Sequence, residues 1–151
     1  MKYIIGTGNW TMTDDSIGLR LIEFMDQKYP ERDFELVDLS ISAFNLMTYL
    51  TEETEKIVIV DCIRNEGNHG DVTFFNYEDV ESIKDLSNFT THEDDVVKII
   101  SMAQTMNYHI PPIVFMGITP EKIEYGMTLS PSLEVRLDEY ATSALNELSK
   151  D

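Results

Sequence analysis

Acids from three segments and one imidazole fall where they can meet. Asp14 and Asp15 follow Gly6-Thr7-Gly8-Asn9, Asp38 and Asp61 close two apolar runs, and Thr90-Thr91-His92 precedes a helical stretch. Two carboxylates and an imidazole with open positions suit a divalent transition metal such as nickel, zinc, iron or manganese, and the lack of thiolate argues against a soft, closed site. Neither a Ser-His-Asp nor a Cys-His arrangement is legible. Cys62 directly follows Asp61, and strand alternation turns it to the other side of the chain, as a buried structural thiol. Each residue also has an ordinary reading. Asp14 or Asp15 can serve a helix start, where unpaired amides and the dipole favour an acid. Asp61 can cap a turn, and His92 can lie on the surface.

These residues need a scaffold that brings distant segments to one edge. Tyr3-Ile4-Ile5 reads as a short buried strand ended by the glycine turn, and Phe34 to Asp38 as a second strand. Lys56 to Asp61 carries the continuous β-branched run of a strand covered on both faces. Gly70 to Tyr77 and Ile113 to Ile118 read as two more. Between them, Ile17, Leu21, Ile22, Met25 and Tyr29 recur at helical spacing from about Asp15 until Pro30 stops the run. A short helix is expected over Phe44 to Leu50, another from Val96 to Met106, and a single final helix from Ser132 to about Leu148. Glu78 to Asn88 is acidic and poorly periodic. The alternation predicts a three-layer α/β/α fold: a mostly parallel, twisted five-stranded sheet with helices on both faces. The close Asp61-to-Gly70 connection makes one strand antiparallel. In such sheets ligands sit at the carboxyl ends of the strands, where all the candidate residues hang.

Composition narrows the function classes. The 151 residues suffice for one domain, 1–151, and are 42% hydrophobic and 26% charged. One cysteine excludes an internal disulfide framework. No apolar run approaches the ~18–20 residues that span a bilayer. Met1 to Gly6 lacks a signal-peptide layout, so a cytoplasmic protein is expected. Asp and Glu total 28 against 11 Lys and Arg, a net charge of −17. Such a surface repels nucleic acid and anionic membranes and favours a basic partner or simply solubility. Gly6-Thr7-Gly8 lacks the third glycine of a dinucleotide fingerprint, and the paired acids would repel a pyrophosphate.

Four motifs in order resemble the hydrogenase maturation endopeptidases. The first is Gly6-Thr7-Gly8-Asn9 with Asp14-Asp15 and Gly18; the second is Ile59-Val60-Asp61; the third is Thr91-His92 before a helix. The fourth runs from Gly117-Ile118-Thr119-Pro120 through Gly126-Met127 to Leu129-Ser130-Pro131. The resemblance covers Ile4 to about Leu148. It implies an endopeptidase that removes the C-terminal extension of a nickel–iron hydrogenase large-subunit precursor after nickel insertion. It further implies that Asp15, Asp61 and His92 contact the substrate's nickel and carry the catalysis, with no permanent metal and no other cofactor. Gly6, Gly8, Asn9, Asp14 and Asp38 support them, Gly6 and Gly8 through tight turning and Asn9 through hydrogen bonds that brace the loop. The precursor is the expected partner, met by a monomer. Where the family has Gly-Thr after the second strand's acid, in a loop held to orient the substrate, this chain has Leu39-Ser40-Ile41-Ser42-Ala43. That loop must take another path or lean on serine hydroxyls. Ser16 replaces a glycine, and His69 stands where proline is common, as a loop histidine. Two other functions compete: a non-catalytic relative that binds a metalloprotein or assembly factor through the same cleft, and a phosphoacceptor signalling domain.

Overall fold

A computed structural model describes residues 1–64, 67–82 and 91–150; the side chains of 80–82 and 91–94 lie outside the described residues. Five strands form one sheet: β1 (Lys2–Gly6), β2 (Glu35–Asp38), β3 (Lys56–Cys62), β4 (Val72–Asn76) and β5 (Ile113–Ile118). Their order is β2-β1-β3-β5-β4, with β4 antiparallel to β5 and the other pairs parallel. The expected α/β architecture is therefore present, including the antiparallel strand.

Alternation along the strands divides the core into two layers. Ile4, Val58, Val60 and Cys62 face α1 (Ile17–Lys28) and α5 (Leu137–Ser149), packing with Leu21, Met25, Ala141 and Ala144. Ile5, Ile57 and Ile59 face the opposite layer, with Leu39, Leu46, Val96 and Ile100. That layer is built by a 3-10 helix over Ala43–Tyr49 and by α3 (Thr91–Thr105). All seven residues of β3 are buried: the apolar run 57–60 is covered on both faces, and Lys56, Asp61 and Cys62 are buried with it.

Several element boundaries differ from the sequence expectation. The stretch holding the paired acids is a 3-10 turn, Thr13–Ser16, and α1 begins only at Ile17. The segment from Phe44 winds as a 3-10 helix, with the Ser42 hydroxyl accepting from the Phe44 amide at 3.2 Å. Tyr77–Ser82 forms α2 inside the stretch read as aperiodic. Asp79 reaches back to the Asn76 amide at 3.3 Å, half of a capping box. Met106 lies past the end of α3 and is exposed. The final helix is two: α4 (Pro131–Glu134) and α5, separated by Val135 and Arg136. Among the described residues, no helix is long and apolar enough to cross a membrane.

Candidate functional site

Glycine contacts set the site's floor. A Cβ on Gly6 would lie 2.4 Å from the Gly18 carbonyl oxygen, and one on Gly18 would lie 2.2 Å from the Val60 carbonyl oxygen. Their lack of side chains lets the start of α1 press against the carboxyl ends of β1 and β3. Gly8 has φ of 140°, and a Cβ there would lie 2.2 Å from the Asp15 carbonyl oxygen. Bare backbone at Gly8 thus lies directly against Asp15. The loop is further tied down by Asn9, whose Oδ1 accepts from the Thr11 amide at 3.0 Å and the Thr11 hydroxyl at 2.8 Å. Trp10 is half-buried, with the Arg20 guanidinium 4.7 Å from its ring centroid, which makes it an anchor of this loop.

The two adjacent acids do different work. Asp14 is completely buried, and four hydrogen bonds converge on it from residues more than a hundred positions away. Its Oδ2 accepts from the Glu121 amide at 2.9 Å, the Lys122 amide at 3.1 Å and the Ser130 hydroxyl at 2.7 Å. Its Oδ1 accepts from the Ser130 amide at 2.7 Å. Thr13 reinforces the clamp: its hydroxyl donates to the Lys122 carbonyl and accepts from the Glu124 amide, both at 3.0 Å. Thr13 adopts φ of 40° to do so, and a Cβ on Gly126 would lie only 2.9 Å from its methyl group. The closing motif around Gly126, Ser130 and Pro131 is therefore a structural strap over the paired acids. Arg20 extends it by donating to the Met127 carbonyl. Sequence spacing could not assign these partners, because nothing local links Asp14 to Ser130.

Asp15 sits beside this clamp in the same turn, 7% exposed, and the turn packs against β3. Asp61 lies near the carboxyl end of β3, paired in register with Gly117 and fully buried. Its Oδ1 accepts from the Cys62 amide at 2.7 Å. Asp61 shares the strand parity of Ile57 and Ile59 and so faces the layer that contains α3. His92 lies in the first turn of α3; its side chain, with those of Thr91, Glu93 and Asp94, lies outside the described residues, as does Thr90. Cys62 has the opposite parity and is buried in the α1/α5 layer, as expected.

Asp38 follows another course. It is exposed at the end of edge strand β2, and its Oδ1 accepts from the Ser40 amide at 2.8 Å. That Asx turn, with the Ser42 cap, gives the glycine-free loop its path. The loop forms one wall of a cleft of about 460 Å³ whose opposite wall is Asp95, Val96, Lys98 and Ile99 of α3, with Thr7 and Gly8 at its base. Ile41 and Phe44 project from it, 92% and 57% exposed. The sequence places Thr7 in the first motif but gives its side chain no role, and it does not show that Thr7 and α3 share this cleft with the 39–44 loop. His69 is an exposed loop residue, with Nδ1 3.9 Å from Glu121.

The comparisons with known proteins agree. A family model described as hydrogenase maturation protease matches residues 19–147. The hydrogenase 2 maturation protease of Escherichia coli is 24% identical over 149 residues, covering 95% of this chain and 90% of that protein. Among solved structures, the hydrogenase maturating endopeptidase HybD from E. coli superposes with a TM-score of 0.84 at 21% identity, covering 97% of this chain and 91% of the other. HybD from Thermococcus kodakarensis, a NiFe hydrogenase maturation protease, gives 0.77 at 21% identity, covering 99% and 100%. The chain belongs to the hydrogenase maturation protease family, and so to the hydrolases that act as endopeptidases.

Proposed function

We propose that this chain cleaves the C-terminal extension from a nickel–iron hydrogenase large-subunit precursor once nickel has been inserted, reading the nickel through Asp15, Asp61 and His92. The observation that carries the reading is the division of labour between the paired acids. Asp14 anchors the strap, and Asp15 lies beside it in the turn that packs against β3, the strand that carries Asp61. Two carboxylates from rigid elements and an imidazole at a helix start make a hard-to-borderline donor set that fits nickel. Three protein ligands leave coordination positions for groups of the substrate. A metal held in that way can polarise a carbonyl or activate water for peptide hydrolysis. The nickel belongs to the substrate, so cleavage reports that insertion is complete. The neighbouring cleft, walled by the 39–44 loop and α3, receives the chain around the scissile bond.

The test is a cleavage assay. Large-subunit precursor from the same organism, loaded with nickel or left without it, is mixed with the protein, and mass spectrometry follows loss of the C-terminal extension. Cleavage of the nickel-loaded form alone is the expected result. Cleavage of both forms would remove nickel from the reading. Nickel-dependent binding without cleavage would instead identify a non-catalytic docking protein.

A further inference from the structure

Thr7 carries a feature that the site described above does not use. Its side chain is 3% exposed, and its hydroxyl has no hydrogen-bond partner among the described residues. A buried hydroxyl normally bonds to something, because leaving it unmatched gives up the bonds it makes to water in the unfolded chain. The backbone of Thr7 is not similarly idle: its amide donates to the Val60 carbonyl at 3.0 Å, which fixes the residue between β1 and β3. Its parity matches Ile5, so the side chain lies on the α3 side of the sheet, and Thr7 lines the base of the cleft. The unmatched group therefore sits where a ligand enters and next to Gly8, whose backbone abuts Asp15.

We propose that the Thr7 hydroxyl is a substrate-binding group that donates a hydrogen bond to a main-chain carbonyl of the precursor segment lying in the cleft. The proposal rests on the endopeptidase reading given above. A carbonyl is the better match than an amide. Asp95 in the lining offers an acceptor to substrate N–H groups. The donors Lys98, Ser40 and Ser42 stand on the walls, whereas at the base the Thr7 amide is committed to Val60 and the Thr7 hydroxyl is the side-chain donor. Main-chain recognition also suits an extended segment whose side chains are received by Ile41 and Phe44 on the wall. A site that keeps a buried polar group unmatched until substrate arrives discriminates strongly against occupants that cannot bond to it.

Thr7→Val keeps the shape and removes the hydroxyl; Thr7→Ser keeps the hydroxyl. Thermal melting of each is measured beside kcat/KM for nickel-loaded precursor and the Kd for that precursor. In Thr7→Val the expected result is an unchanged or higher Tm, with kcat/KM lowered about tenfold or more and Kd weakened. Thr7→Ser restores most of both. A lower Tm with kcat/KM unchanged would show that the hydroxyl has a structural partner and overturns the proposal. An unchanged kcat/KM and Kd at unchanged Tm also overturns it. Wild-type protein that neither cleaves nor binds the precursor overturns the endopeptidase reading itself, and this inference with it. Wild-type protein that binds without cleaving still tests the hydroxyl through Kd.

Discussion

Asp14 and Asp15 are chemically identical neighbours, and the four hydrogen bonds on Asp14 predict a specific consequence for its substitution. In Asp14→Asn the amide oxygen is best placed at the former Oδ2, where three donors converge. The amide NH2 then faces the Ser130 N–H, leaving that buried donor unmatched. An orphaned buried donor costs about 1–3 kcal/mol, and exchanging three charge-assisted bonds for neutral ones removes about 1 kcal/mol each. Relief of the buried charge offsets part of this, giving a net loss of about 3 kcal/mol. For a chain of this size that lowers Tm by about 6–12 °C. The strap loosens, yet Asp15 remains, so residual cleavage at low temperature is expected. Asp15→Asn should abolish cleavage at every temperature. Differential scanning fluorimetry of both variants, with the precursor assay at about 15 °C, makes the comparison. Asp14→Asn melting like wild type, or losing low-temperature cleavage as completely as Asp15→Asn, would refute the assignment of the clamp.

Three further predictions follow from particular contacts. Gly8→Ala places a methyl group against the Asp15 carbonyl oxygen at a φ of 140°, so thermal melting should show a loss of about 3 kcal/mol or more, with cleavage lost as well. Tyr140 is fully buried and donates to the Gly70 carbonyl at 2.7 Å, and burial pushes its pKa up to about 12. A raised phenol pKa favours the neutral folded form, so its stabilisation is complete below pH 10 and is lost as pH rises to 12. Urea titrations over that window should show a fall of about 2–3 kcal/mol that Tyr140→Phe removes, at a loss of about 1 kcal/mol near pH 7. Cys62→Ala should lower stability by about 1–2 kcal/mol and leave the cleavage rate within about twofold of wild type, because the thiol is buried in the layer facing away from Asp61.

What the sequence revealed depended on whether the physical signal was local. The run from Lys56 to Asp61 was legible as a doubly covered strand from its continuous β-branched stretch, and β3 is buried throughout and extends one residue further, to Cys62. The faces of α1 and α5 were legible from their spacing, with Leu21, Met25, Ala141 and Ala144 buried as expected. The break between α4 and α5 was not, since Leu133 and Leu137 keep helical spacing across it and periodicity passes straight over Val135 and Arg136. The short helix at Tyr77 is too acidic and too brief to show a stripe; a single back-reaching aspartate supports its start. At the site, order along the chain was enough to nominate Asp15 and Asp61. The pairing of Asp14 with Ser130 spans a long separation, and that the Thr7 hydroxyl has no partner among the described residues is visible only in the fold. The loop after Asp38 was legible as a departure, and its replacement chemistry proved to be an Asx turn plus a serine cap.

The most direct test of the central claim compares wild type with Asp15→Ala, Asp61→Ala and His92→Ala on nickel-loaded precursor, with release of the C-terminal peptide read by mass spectrometry. The account predicts cleavage by wild type and none by any of the three, each variant remaining folded by circular dichroism. Cleavage that survives any one of the three substitutions at the wild-type rate would contradict the assignment of that residue to the site.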